Sequence, residues 1–130
     1  MYLIALCDDE PAELEKTEKL LNDYEKKYPG PEFMIRCFDN ADELLYLVRE
    51  ESYMPDLIFM DIYMQDRECN SYPLGIEAVR ELRDMEFKGK VIFLTTSKEY
   101  ALEAFDVNAL QYMVKPVSEE KLFSVLNRLF

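Results

Sequence analysis

The sequence predicts one α/β domain in which a doubly wound parallel sheet is covered by helices on both faces. Five short apolar runs recur along the 130 residues, near-continuous rather than alternating, as strands buried on both sides read. Segments of helical spacing follow these runs, the pattern of a parallel sheet with crossover helices. A chain of this length makes a single domain that buries roughly two-thirds of its unfolded surface without disulfides or a structural metal.

The elements follow in order. Tyr2 to Cys7 is the first strand, broken by Asp8-Asp9-Glu10-Pro11. A proline at the first helical position behind acidic residues starts a helix, with Leu14, Leu21, Tyr24 and Tyr28 on one face and Pro29-Gly30-Pro31 ending it. Phe33 to Phe38 is the second strand, and Asn40 with Glu43 three residues on makes a helix cap. Leu44, Leu47 and Val48 line that second helix. Leu57 to Met60 is the third strand, closed by Asp61. Ile62 to Leu74 has no clear period, after which Ile76, Val79 and Leu82 mark the third helix. Val91 to Leu94 is the fourth strand, Tyr100 to Asp106 the fourth helix, and Leu110 to Val114 the fifth strand. Leu122, Val125, Leu126 and Leu129 give the last helix its apolar stripe.

Composition narrows the chemistry. With 49% hydrophobic and 32% charged residues the chain is globular. It has no histidine, which excludes Ser-His and Cys-His nucleophile pairs and histidine metal sites. A net charge of −12 argues against direct nucleic-acid binding. No apolar run approaches the roughly 20 residues of a membrane span, and the amino terminus lacks a signal peptide's basic start. Three cysteines, Cys7, Cys37 and Cys69, cannot all pair, so reduced thiols in a cytoplasmic setting are expected.

Ligands of open α/β sheets bind beyond the carboxyl ends of the strands. Those ends carry Asp8-Asp9-Glu10, Asp61, Thr95-Thr96-Ser97 and Lys115-Pro116. Clustered carboxylates repel one another until a hard cation relieves them, and Mg²⁺ takes one or two carboxylates while keeping sites for water and phosphate oxygens. A carboxylate is also a nucleophile able to form an acyl phosphate, with a lysine and a hydroxyl neutralising and positioning the phosphoryl group. Each residue has a plainer reading too: helix capping for the acids ahead of Pro11 and for Ser97, a turn start for Asp61, a surface position for Lys115. Their joint occurrence in this order favours a site.

The motifs Ala5-Leu6-Cys7-Asp8-Asp9-Glu10, Pro55-Asp56-Leu57-Ile58-Phe59-Met60-Asp61-Ile62-Tyr63-Met64, Val91-Ile92-Phe93-Leu94-Thr95 and Tyr112-Met113-Val114-Lys115-Pro116 resemble the receiver domain of two-component response regulators. The resemblance covers residues 1–130 as one receiver domain. Tyr100 to Phe105 and Asn108 to Tyr112 are most similar to receivers that precede a LytTR-type DNA-binding domain, so such a domain is expected beyond Phe130.

The resemblance implies a flavodoxin-like strand order, 2-1-3-4-5, and roles residue by residue. Asp61 would be the phosphoacceptor, taking its phosphoryl group from a sensor histidine kinase. Asp9 would ligate Mg²⁺ directly, Asp8 through water, and the backbone carbonyl of Tyr63 would complete the protein ligands. Lys115, with a cis peptide to Pro116, and Thr95 would hold the phosphoryl oxygens, and Tyr112 would be the aromatic switch that turns inward with Thr95. Glu10 would lie just outside. The implied output is transcription, through a homodimer formed by the fourth helix, fifth strand and fifth helix; Tyr100, Phe105, Tyr112 and Phe123 are candidates for that face, or ordinary core or partly exposed side chains. DNA would be reached only by the further domain, and no membrane is involved. The domain would be a switch, not an enzyme, beyond Mg²⁺-dependent self-phosphorylation and slow self-dephosphorylation.

Three features depart from the pattern. Receivers place a glycine about eight residues after the phosphoacceptor, whereas Gly75 follows Asp61 by 14, so Gln65 to Pro73 holds about six extra residues. That loop reads as a tolerated insertion, a lid or a kinase contact. Thr96 stands where Ala or Gly is usual, and Tyr63 is bulky beside the phosphoacceptor; both should slow attack by water. Third, the chain stops at Phe130, where the last helix would normally finish. Among other classes, a haloacid-dehalogenase-like phosphatase needs a second aspartate where Tyr63 stands, and a flavodoxin needs a Ser/Thr/Gly phosphate loop where Asp8-Asp9-Glu10 stands. A stand-alone or degenerate receiver acting as an interaction module is the alternative within the family.

Overall fold

A computed structural model describes residues 1–64 and 74–130. Its elements are β1 (Tyr2–Cys7), α1 (Pro11–Lys27), β2 (Phe33–Phe38), α2 (Ala41–Glu50), β3 (Leu57–Met60), α3 (Leu74–Asp84), β4 (Lys90–Thr95), α4 (Ala101–Asp106), β5 (Gln111–Val114) and α5 (Glu119–Leu129). All strand pairs are parallel and the order is β2-β1-β3-β4-β5, as expected. The chain reverses direction across the sheet between β1 and β3, so the switch point lies where Asp8 and Asp61 leave the sheet.

The two-residue period of the strands splits the core in two. Ile4, Leu6, Leu57, Phe59, Ile92 and Leu94 face α1 and α5, meeting Leu21, Tyr24, Leu122 and Leu126. Ala5, Cys7, Ile58, Met60, Val91 and Phe93 face α2, α3 and α4, meeting Leu44, Ile76, Val79 and Ala104. Strands buried on both faces must be apolar at every position, which is why the central runs show no alternation.

Local signals act where the sequence put them. Pro11 opens α1, and the Asn40 side chain accepts from the Glu43 amide at 3.0 Å. Ser118 caps α5 in the same way, accepting from Lys121 at 3.2 Å. Ser97 does not cap α4: its hydroxyl accepts from the Glu99 amide at 3.1 Å in the preceding turn, and α4 starts later, after Tyr100. The extended loop Gln65 to Pro73, with Cys69, lies outside the described residues. Among the described residues, Cys7 and Cys37 are free thiols, and no helix is long and apolar enough to cross a membrane.

Candidate functional site at the carboxyl edge of the sheet

Backbone hydrogen bonds carry the sheet ladder one residue past its strands. The Asp8 amide donates to the Phe38 carbonyl and the Asp61 amide to the Cys7 carbonyl, each at 3.0 Å. With Cys7 paired to Met60 in register, Asp8 and Asp61 leave the sheet side by side. On the neighbouring strands, Thr95 pairs with Val114, and the Lys115 amide donates to the Thr95 carbonyl at 2.7 Å. The sheet thus delivers two acids, a hydroxyl and an ammonium group to one edge.

The carboxylate oxygens of Asp8, Asp9 and Asp61 lie within 4.8 Å of one another. Asp8 is 7% and Asp61 8% exposed, while Thr95 is fully buried. Lys115 Nζ donates to Asp8 Oδ2 at 2.7 Å and lies 3.8 Å from Asp61 Oδ2. The Lys115-Pro116 peptide is cis. Glu10 keeps its side chain in solvent, while its amide donates to Asp8 Oδ1 at 3.0 Å and so orients that carboxylate.

This crowding perturbs the charges. Burial, then the neighbouring Asp8 and Asp9 charges, push the Asp61 carboxyl up to about 7 against the pull of Lys115. Burial works against the Lys115 ammonium, yet the Asp8 hydrogen bond and the charges of Asp61, Asp8 and Glu13 outweigh it and hold Lys115 above its ordinary value. Lys115 thus faces Asp8, Asp61 and Glu13. Carboxylate oxygens this close suit a hard divalent cation, so the residues fit Mg²⁺.

Two tyrosines flank the edge. The Tyr112 hydroxyl donates to the Ser97 carbonyl, and its ring packs toward Phe93, with centroids 6.4 Å apart, so the side chain is turned inward. Tyr63 reaches the turn before α4: its hydroxyl donates to Glu99 Oε2 at 3.4 Å and its ring meets Tyr100 edge-on at 5.6 Å. The hydrogen bond with Tyr63 pushes the Tyr100 hydroxyl up to about 12.

Gly75 sets how α3 begins beside the site. A Cβ there would stand 2.0 Å from the Asp61 carbonyl oxygen and 2.7 Å from Ile62 Cα, and the Gly75 amide donates to the Ile62 carbonyl at 2.9 Å. The start of α3 therefore rests on the backbone of Asp61 although 14 residues separate them in sequence.

Every residue proposed from sequence as a site side chain is at this edge. Sequence reasoning missed Glu13, whose Oε2 is 3.9 Å from Lys115 Nζ; its signal was an acid in the first turn of the helix that leaves the site. It also missed Glu99 as the partner of Tyr63. Phe123 takes the core alternative: it is 5% exposed and packs edge-on to Tyr24 at 5.2 Å between α1 and α5. The exposed apolar residues near α4 are instead Leu102, Phe105 and Leu110.

A doubly wound sheet with an acidic cluster, a lysine and a hydroxyl at its switch point defines the class of α/β domains chemically suited to binding a cation and a phosphoryl group. Residues 4–127 match the family model of the response regulator receiver domain. The chain therefore belongs to the response regulator receiver family of two-component systems. It is 32% identical over 125 residues to the positive alginate biosynthesis regulatory protein of Pseudomonas aeruginosa, covering 96% of this chain and 46% of that protein. It is 37% identical over 94 residues to the sensory transduction protein LytT of Oceanobacillus iheyensis, covering 70% of this chain and 35% of that one. The chain thus spans less than half the length of these relatives. The response regulatory domain of mrkE from Klebsiella pneumoniae has the same fold, with a TM-score of 0.79 at 23% identity over 98% of this chain and 93% of that one.

Proposed function

We propose that this receiver is a phosphorylation-driven switch in which Asp61 accepts a phosphoryl group from the phosphohistidine of a sensor kinase. The observation that carries the reading is the cluster of Asp8, Asp9 and Asp61 within 4.8 Å with Lys115 Nζ 3.8 Å from Asp61. An Asp61 carboxylate oxygen attacks phosphorus, the phosphorus–nitrogen bond of the kinase breaks, and the imidazole leaves with its electron pair and takes a proton. Asp9, Asp61 and the Tyr63 carbonyl would hold Mg²⁺, with Asp8 acting through water; the cation supplies charge neutralisation for the phosphoryl oxygens. Lys115 exchanges its bond to Asp8 for one to the new phosphoryl group, and the Thr95 hydroxyl gives another.

The phosphoryl contacts favour one of two arrangements of the turn after β4. Tyr112 holds that turn through the Ser97 carbonyl, which supports the α4–β5–α5 face as the readout; the proposed output form is a homodimer through it. The likeness to LytT supports a transcriptional output through a LytTR-type DNA-binding domain, with residues 1–130 as the receiver alone, in a cytoplasmic setting. The domain acts as a phosphoacceptor, not as a turnover enzyme.

The test is incubation with Mg²⁺ and either acetyl phosphate or beryllofluoride, for wild type and Asp61→Asn. Wild type should gain one phosphoryl mass from acetyl phosphate, and its Tyr112 resonances should shift with beryllofluoride. The variant should do neither. A wild type that gains no mass and shows no shift refutes the switch.

A further inference from the structure

At the opposite end of the sheet, a groove of about 520 Å³ lies between the turn from α3 to β4 and the turn from α4 to β5. Phe87, Lys88 and Lys90 form one side; Phe105, Asn108 and Leu110 form the other. The floor is Arg83, whose guanidinium is committed to the walls. It donates to the carbonyls of Val107 at 2.8 Å, Phe87 at 2.9 Å, Gly89 at 2.8 Å and Asn108 at 3.1 Å. Both turns are therefore fixed before anything binds, which removes an ordering cost from association.

The lining is unusual for this chain. Acids outnumber bases 27 to 15 over the whole sequence, yet among the described residues no acid lines the groove and three bases do. Lys88 and Lys90 are exposed and make no ion pair among the described residues. Beside them stands an apolar ridge: Phe105 is 79% exposed, Leu102, one turn earlier on α4, 78%, and Leu110 44%. Unpaired lysines flanking exposed apolar side chains complement a chain that carries carboxylates around an apolar anchor.

We propose that this groove docks a short acidic peptide segment of a partner protein, with an aromatic or aliphatic side chain on Phe105 and Leu110 and carboxylates on Lys88 and Lys90. The net charge of −12 opposes acidic partners at long range. At physiological ionic strength, however, screening over about 8 Å leaves the two lysines to act locally. The site uses neither Asp61 nor Lys115, so it stands whether or not the domain is phosphorylated.

The test uses the whole chain and a fluorescein-labelled peptide of sequence Glu-Glu-Leu-Ala-Phe-Glu-Glu, with a control in which Gln replaces each Glu. Binding is read by anisotropy and by amide resonance shifts. The acidic peptide should bind and shift Lys88, Lys90, Phe105 and Leu110. The Gln peptide, the Lys88→Glu/Lys90→Glu double variant and Phe105→Ser should each weaken binding about tenfold or more. These side chains are exposed, so the variants should fold, which circular dichroism verifies. Equal binding of the two peptides, shifts confined to another face, or no binding at millimolar peptide overturns the proposal. Sedimentation of the unphosphorylated chain adds a further refuting outcome: a dimer lost in Phe105→Ser and unaffected by the peptide makes the occupant a second copy of the chain.

Discussion

Replacing Asp61 with Asn should stabilise the fold, and by more at alkaline than at acidic pH. The carboxyl is held at about 7 against an ordinary 3.8, a raised value, so the folded state favours its protonated form. Its contribution to stability is intact below the unfolded value and is lost as pH rises through the folded one. The wild type therefore weakens between about pH 4 and pH 7, and Asn, uncharged throughout, escapes the loss. A shift of about three units is worth at most ~4 kcal/mol. Entry of water and movement of Lys115 toward Asp61 should roughly halve that, leaving a gain of about 2 kcal/mol at pH 8 and about 1 kcal/mol at pH 5.

The chain has no tryptophan, so the assay is urea unfolding followed by far-ultraviolet circular dichroism in a chelating buffer. With a slope of about 1–3 kcal/mol per molar urea, the midpoint should rise by roughly 1 M at pH 8. Added Mg²⁺ should narrow the gap by stabilising wild type more than the variant. A gain of equal size at both pH values, or a loss at both, would falsify the account of Asp61 as an electrostatically strained group.

Three more outcomes are expected. Gly75→Ala forces a Cβ to within 2.0 Å of the Asp61 carbonyl oxygen, where backbone must move; it should cost about 3 kcal/mol or more, read as a fall of 10 °C or so in Tm. Thr96→Ala and Tyr63→Asn should each shorten the acyl-phosphate lifetime several-fold, followed by loss of phosphoryl mass with time; unchanged lifetimes in both dismiss the idea that these side chains shield Asp61 from water. Arg83→Ala removes four hydrogen bonds to carbonyls of two turns and should cost about 2–4 kcal/mol, with hydrogen exchange accelerated at Val107 to Leu110 before the core.

How much of this could be read from sequence depended on whether the information was local or tertiary. The strands were legible because burial on both faces forces continuous apolar runs, and each run stopped at the residue that bears chemistry. Asp8, Asp61, Thr95 and Lys115 therefore announced themselves as strand ends, and parallel pairing did the rest. Glu13 was not legible, because an acid in a helix's first turn is ordinary and only the return of β5 brings Lys115 to it. Phe123 was open between readout face and core for a related reason. Helical spacing places it beside Leu122 and Leu126, but only the packing of α5 on α1 decides that its ring goes to Tyr24. Nothing in the sequence singles out Arg83, because its role depends on two turns closing over it.

The acidic composition acquires a spatial meaning once the fold is known. At the carboxyl edge of the sheet, Lys115 is shared by Asp8, Asp61 and Glu13, and burial, then the charge of Asp8, lifts Asp61 to about 7. Folding supplies the energy to assemble that edge, and a ligand that brings positive charge recovers part of it. An edge with balanced charge would gain little from such a ligand and would have little leverage on the turn that Tyr112 and Tyr63 hold. At the amino edge, Lys88 and Lys90 make no ion pair among the described residues and stand beside exposed Phe105. The two ends of the sheet therefore present charge of opposite sign. The strain at Asp61 and the openness of the Lys88 groove are the two places where this domain has free energy to gain from a partner.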